Sequence, residues 1–186
     1  MSLRVLTICT GNICRSPAAA ALLGASFPGT LEISSAGIRA VEGADIDPQI
    51  RELLAGQELF PALHRAHTVT VPELSGADLI LTMTAGQRGM VLELVPRVLH
   101  RTFTLKEFAR ISADIVTDHT VAWAPRADEE SRLTRMIECA SRFRGRSSRQ
   151  GSDDVDDPYL GTPKDYAQAF HEIREAIETI HAAVRS

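Results

Sequence analysis

Cys9-Thr10-Gly11-Asn12-Ile13-Cys14-Arg15-Ser16-Pro17 stands between two runs of different character. Before it, Leu3-Arg4-Val5-Leu6-Thr7-Ile8 is apolar and β-branched, as a parallel strand buried on both faces would be. After it, Pro17 to Phe27 is rich in Ala and Leu, with Pro in the first helical turn, where its missing N–H does no harm. The spacing predicts a strand at 3–8, a loop at 9–15 and a helix over roughly 16–26. A loop that leaves the carboxyl end of a strand and enters a helix N-terminus gathers backbone N–H groups around an anion. Those amides would favour Cys9 as a thiolate, and Arg15 offers a planar fork matched to two phosphate oxygens. Such a loop is suited to attack on phosphorus.

Working outward, Leu31 to Ser35 reads as a second strand ended by Ala36-Gly37, and Asp47-Pro48 opens a helix over about 48–56. A short extended piece is expected from His64 to Thr68, then a helical turn around Pro72 to Ser75. Asp78 to Met83 is another continuous apolar strand, a helix over 85–95 stops at Pro96, and Arg97 to Phe103 reads as a short extended segment. This alternation predicts an α/β fold, a parallel sheet with helices on both faces. Leu105 to Ile111 reads as a short helix and Asp128 to Phe143 as a longer one, with Leu133, Met136, Ile137 and Ala140 on one stripe. Lys164 to Val184 is amphipathic, with Tyr166, Phe170, Ile173, Ile177 and Ile180 on its apolar side. Both stripes are core positions. Arg142 to Ser152 is basic and Gly/Ser-rich and reads as a mobile loop.

With 186 residues the chain is expected to form one domain, 1–186. A formal net charge of −4 gives no support for nucleic acid as a partner. No run approaches the ~18 apolar residues of a membrane span, and Met1-Ser2-Leu3-Arg4 lacks the layout of a signal peptide. A cytoplasmic location and no membrane partner are therefore expected. Three cysteines are an odd number, which argues against a disulfide framework. Cys9 and Cys14 lack zinc spacing and the six His are scattered, so neither a metal nor any cofactor is expected.

Five residues separate Cys9 from Arg15, which lets both face one phosphate. The thiolate can attack in line while the loop amides and the Arg15 fork hold the equatorial oxygens. Gly11 permits backbone angles barred to other residues, and Asn12 can hold a left-handed turn. Ser16 at the helix start can donate its hydroxyl hydrogen to the Cys9 sulfur. Cys and Arg at this spacing arise by chance; the strand before, Gly-Asn within and Ser-Pro after separate this instance from chance. A departing oxygen also needs a proton. Val155-Asp156-Asp157-Pro158-Tyr159-Leu160-Gly161 offers Asp157, which the following Pro holds extended. Taken alone, Asp-Pro-Tyr is most often a plain turn or cap.

The chain resembles the low-molecular-weight protein tyrosine phosphatases. The resemblance rests on the Cys9–Pro17 loop with its strand, on Ser34-Ser35-Ala36-Gly37, His64-Arg65-Ala66, Asp78 to Met83 and Asp156-Asp157-Pro158-Tyr159, in that order. It covers roughly 3–104 and 155–184. It implies a four-stranded parallel sheet with helices on both faces and a metal-free, two-step mechanism through a phosphocysteine. Carried onto this sequence, Cys9 is the nucleophile, Arg15 the phosphate clamp and Asp157 the general acid and base. Thr10, Gly11, Asn12, Ile13, Cys14 and Ser16 complete the phosphate-binding loop, and Asn12, Ser16, Ser35 and His64 form the network that holds it. Ile13, Val41, Tyr159 and Leu160 would wall the substrate cleft, and Cys14 would be a reversible disulfide partner of Cys9.

The departures are His67-Thr68 after Ala66, Thr84 after Met83, Val41 in place of a rim aromatic and Leu160 in place of a second aromatic. The stretch 110–153 is longer than the family pattern, carries an Arg cluster and reads as a helical and loop insertion, partly mobile, either a docking surface or, as the favoured reading, a solvated linker. The leading function is hydrolysis of phosphotyrosine on proteins. The alternative on the same fold is protein-arginine phosphatase, for which the resemblance implies Thr at the position of Ile13. Thiol-linked arsenate reduction would need further cysteines in 83–100, which has none. A non-catalytic phosphate binder would need no nucleophile. The expected partner is a phosphorylated protein, a tyrosine kinase among the candidates, and the chain is expected to be a monomer or weak dimer.

Overall fold

Successive residues of β1 (Leu3–Cys9) point to opposite faces of a sheet, and both faces are covered. Val5 enters one apolar cluster, Leu6 and Ile8 the other. The run is apolar throughout for this reason, rather than alternating. The structure, a computed structural model, describes residues 2–123, 127–145 and 151–186. A four-stranded parallel sheet runs in the order β2–β1–β3–β4, with β2 (Leu31–Gly37), β3 (Leu79–Thr82) and β4 (Thr102–Thr104). Val5 stands opposite Ile33 on one side and Leu79 on the other.

One face carries α1 (Arg15–Ser26), α2 (Pro48–Ala55), α5 (Leu105–Thr117), α6 (Glu129–Phe143) and α7 (Pro163–Arg185), which share the larger core. The other carries α3 (Val71–Gly76), α4 (Ala85–Leu94) and a 3₁₀ turn at Pro96–Arg101, closed over Leu74, Val91 and Val98. From β1 the chain passes through α1 to β2 on one side, then crosses back to β3 on the other. At such a reversal the carboxyl ends of neighbouring strands part and leave a crevice. The 9–15 loop lies there.

Four sequence expectations change. His64 to Thr68 forms no strand; Thr68 makes only an isolated bridge to Gly37. Arg97 to Phe103 divides, because Pro96 opens a 3₁₀ turn and only Thr102–Thr104 reaches the sheet. The helix at Leu105 runs on to Thr117, since Ile111, Ser112 and Ile115 continue its buried stripe. Nor is 110–153 a solvated linker where it is described: Leu133, Met136, Cys139, Ala140 and Phe143 of α6 are core residues. Residues 146–150 of the expected mobile loop lie outside the described residues.

The end of α6 is fastened by Arg144, which donates to the Leu99 and Thr102 carbonyls and to Glu107, and lies 4.4 Å above the Phe103 ring. Glu107 is buried and also takes Arg88 and the Thr104 amide. Its burial is tolerable because both carboxylate oxygens face donors, two of them guanidinium groups. Among the described residues no helix is long and apolar enough to cross a membrane.

Candidate active site

The loop after β1 is held from outside by its carbonyls. Ile38 N–H donates to Cys9 O at 2.9 Å, Arg39 N–H to Thr10 O at 3.0 Å, Val41 N–H to Gly11 O at 3.0 Å and Asp47 N–H to Ile13 O at 2.9 Å. His64 Nε2 donates to Asn12 O at 2.7 Å. In a planar trans peptide the following N–H points opposite the C=O. With the carbonyls of residues 9–13 turned outward, the amides of 10–14 face the inside of the loop. Asn12 N–H lies 3.3 Å from Cys9 Sγ, as this requires. Gly37 makes the arrangement possible, since a Cβ there would stand 2.7 Å from Thr10 O.

Asn12 is the hub. It is fully buried, with φ of +56°, a conformation that Asn tolerates better than other residues bearing a Cβ. Its Nδ2 donates to Ser16 Oγ and Ser35 Oγ, each at 3.0 Å, and its Oδ1 accepts the His67 amide at 3.1 Å. Ser16 Oγ lies 3.0 Å from Cys9 Sγ. With its acceptor side taken by Asn12, the Ser16 hydroxyl has its hydrogen to give, and the sulfur at 3.0 Å is nearer than its other acceptor, Ala36 O, at 3.4 Å. No acidic residue stands in the first turn of α1, so the positive end of that helix adds to the field at the loop.

Arg15 is 3 % exposed, and its guanidinium is tied at two corners. Nη1 donates to Val155 O at 2.9 Å, and Nη2 meets Asp157 Oδ2 at 2.5 Å. Its Nε is buried with no hydrogen-bond partner among the described residues, a donor that costs stability until an acceptor arrives. The segment bearing Asp157 is anchored to β3 and α4. Val155 N–H donates to Met83 O at 2.8 Å, and Asp154 Oδ1 accepts the Ala85 amide at 2.7 Å. Asp157 itself is half exposed and accepts the Tyr159 amide.

Cys9, Ile13, Cys14, Arg15, Val41, Asp157 and Tyr159 line one cavity of about 210 Å³ with Thr10, Gly11 and Arg39. Burial pushes the Cys14 thiol up to about 12, with the charges of Asp47 and Cys9 adding to it. Tyr166 of α7 donates its hydroxyl to Asp47 Oδ2 at 3.2 Å, and burial, then the Cys14 and Asp47 charges, raise that phenol to about 12. All three cysteines are free thiols, and Cys139 is wholly buried in α6.

The sequence-predicted residues therefore converge, except one. Leu160 is 85 % exposed and outside the cavity, because φ of +63° turns the chain there and the Gly161 amide closes back on Pro158 O. Three contributors escaped sequence reading. The His67 amide holds Asn12, Thr68 Oγ1 accepts the Ala40 amide, and Gln87 reaches Thr10. Only Gln87 carried a local signal, as the residue that closes a Thr84-x-x-Gln87 capping box. Among the described residues no group of three His, Cys, Asp or Glu is arranged to hold a metal ion.

Comparison with known proteins agrees with this geometry. Residues 4–120 match the family model for low molecular weight phosphotyrosine protein phosphatase. The chain is 39% identical over 109 residues to a protein-arginine-phosphatase of Geobacillus stearothermophilus, covering 58% of this chain and 72% of that protein. It is 41% identical over 103 residues to a probable low molecular weight protein-tyrosine-phosphatase, EpsP, of Ralstonia nicotianae, covering 55% and 70%. The solved YwlE arginine phosphatase from Geobacillus stearothermophilus superposes with a TM-score of 0.72 at 27% identity, covering 98% of this chain and 93% of that one. The chain belongs to the low molecular weight phosphotyrosine protein phosphatase family, and it is a phosphatase, a hydrolase of phosphorylated proteins.

Proposed function

We propose that the chain hydrolyses phosphotyrosine on proteins through a phosphocysteine on Cys9. In the first step Cys9 Sγ attacks phosphorus, the S–P bond forms and the bond to the phenolic oxygen breaks. Asp157, protonated, gives its proton to that oxygen. In the second step Asp157 takes a proton from water, the water oxygen attacks phosphorus, the S–P bond breaks and inorganic phosphate leaves. Ser16 and the Asn12 amide stabilise the sulfur anion before attack and on its departure. Arriving phosphoryl oxygens satisfy Arg15 Nε and take Nη2 from Asp157, whose carboxyl is then free to serve the leaving oxygen. Asp157 lies beyond the 4–120 match, so its role stands on this geometry.

The choice of phosphotyrosine over phosphoarginine rests on the cavity wall. Ile13, Val41 and Tyr159 present apolar surface to an aryl ring, and the cationic Arg39 sits on the same cavity. A phosphoguanidino group would need acceptors there. Among the described residues the one carboxylate lining the cavity is Asp157, already paired with Arg15. The arginine reading remains the competitor because relatives of both kinds match over similar lengths. Matched peptides carrying phosphotyrosine or phosphoarginine, assayed with wild type and Cys9→Ser, decide between them. The expected result is faster release from phosphotyrosine and none by Cys9→Ser; preference for phosphoarginine would overturn the substrate reading and leave the nucleophile intact.

A further inference from the structure

Among the described residues four helices begin with a complete capping box, and three of them close it with a carboxylate at the third helical residue: Glu73, Glu107 and Asp165. In α4 that place belongs to Gln87, which is buried. A carboxylate would cap as well and would suit the helix dipole better. The amide therefore needs another reason. Gln87 Oε1 accepts the Met83 and Thr84 N–H groups at 3.0 and 3.1 Å, which fixes the way the side chain faces. Its Nε2 is thereby directed to Thr10 Oγ1, to which it donates at 3.1 Å. A carboxylate at this place could only accept from Thr10.

A hydroxyl oxygen that receives an N–H keeps its own hydrogen for another acceptor. Thr10 directly follows Cys9 and lines both the cavity of the sulfur and a neighbouring one of about 320 Å³, to which Arg15, Arg39 and Asp157 also contribute. We propose that Gln87 is a positioning residue that sets the Thr10 hydroxyl as a hydrogen-bond donor into the cleft, toward an oxygen of the phosphorylated substrate. The inference rests on the Cys9 reading of the site. It adds an uncharged donor held through α4 rather than through Asn12.

Gln87→Glu tests it with little change of shape. The carboxylate still accepts the Met83 and Thr84 amides, but it now draws the Thr10 hydrogen to itself. Thr10→Val, which leaves α4 untouched, removes the same donor directly. With p-nitrophenyl phosphate and a phosphotyrosine peptide, each variant should lose about five- to tenfold in kcat/KM, the scale of one uncharged hydrogen bond. The melting temperature of Gln87→Glu should stay near wild type, Thr10→Ser should restore activity, and the double variant should lose no more than either single. Full activity in either single variant, or losses that multiply in the double, would overturn the proposal. Turnover by Cys9→Ser would instead overturn the reading beneath it, and the two failures are distinct.

Discussion

Replacing Asn12 with alanine removes three side-chain hydrogen bonds at once, those to Ser16, Ser35 and the His67 amide. At about 1 kcal/mol each this costs about 3 kcal/mol. Alanine must also hold φ of +56° without the local bonding that eases Asn into that region, which adds about 1 kcal/mol. The sum of about 4 kcal/mol is a large share of an ordinary domain's 5–15 kcal/mol or so. Asn12→Gly loses the same bonds but not the backbone penalty, so it should recover about 1 kcal/mol. Urea unfolding followed by far-UV circular dichroism measures all three proteins. Kinetics under conditions where each is folded should show kcat falling in both variants, since the loop carbonyls stay tied but the Ser16 hydrogen is no longer reserved for sulfur. If both variants unfold within about 0.5 kcal/mol of wild type, the size of a neutral surface change, Asn12 is not the hub. If Ala and Gly are equal, the backbone part of the reasoning fails.

Asp157→Ala should cost about 100-fold with phenyl phosphate and far less with p-nitrophenyl phosphate, whose leaving oxygen needs little protonation; equal losses would remove Asp157 from the acid role. Cys14, pushed up to about 12, is a thiolate in about one molecule in 10⁵ at pH 7. Iodoacetamide at that pH should therefore label Cys9 and reach Cys14 only after unfolding, and peptide mapping that found equal labelling would contradict the account. Gly37→Ala places a Cβ 2.7 Å from Thr10 O and 3.0 Å from Ala40 Cα. It should cost about 1–3 kcal/mol of stability, as overpacking does, and lower kcat as the loop shifts; a variant with wild-type melting and kinetics would show that the backbone yields freely there.

Much of this site was readable because its parts are local. The strand, loop and helix around Cys9 form one continuous stretch, and apolar runs buried on both faces announce β1 and β3 without help from the rest of the chain. What joins distant parts was not readable in the same way. Arg15 reaches Val155 O across 140 residues, and Gln87 reaches Thr10 across 77. No spacing rule covers such a separation, and Asp157 was found through the need for a proton donor and the proline that follows it, with the family resemblance adding to that reading. The stripe on α6 foretold a buried face, yet the segment around it was read as a linker, because the stripe does not say which surface covers it, and α5 and α7 do so only once folded together. Leu160 was misplaced for a backbone reason, since positive φ at a non-glycine residue leaves little trace in composition. The rim positions differ in the same sense: Val41 is held at the cavity by the hydrogen bond its backbone N–H donates to Gly11 O, which its side chain does not announce.

The most direct test is to capture the covalent intermediate. Asp157→Ala slows the second step, and with p-nitrophenyl phosphate, whose leaving oxygen needs little protonation, it spares the first, so rapid mixing with that substrate, a denaturing quench and peptide mapping should find one phosphoryl group on the peptide that contains Cys9. The same protein carrying Cys9→Ser should release no phosphate. A phosphoryl group on another residue, or steady turnover with Cys9 absent, would contradict attack by this sulfur.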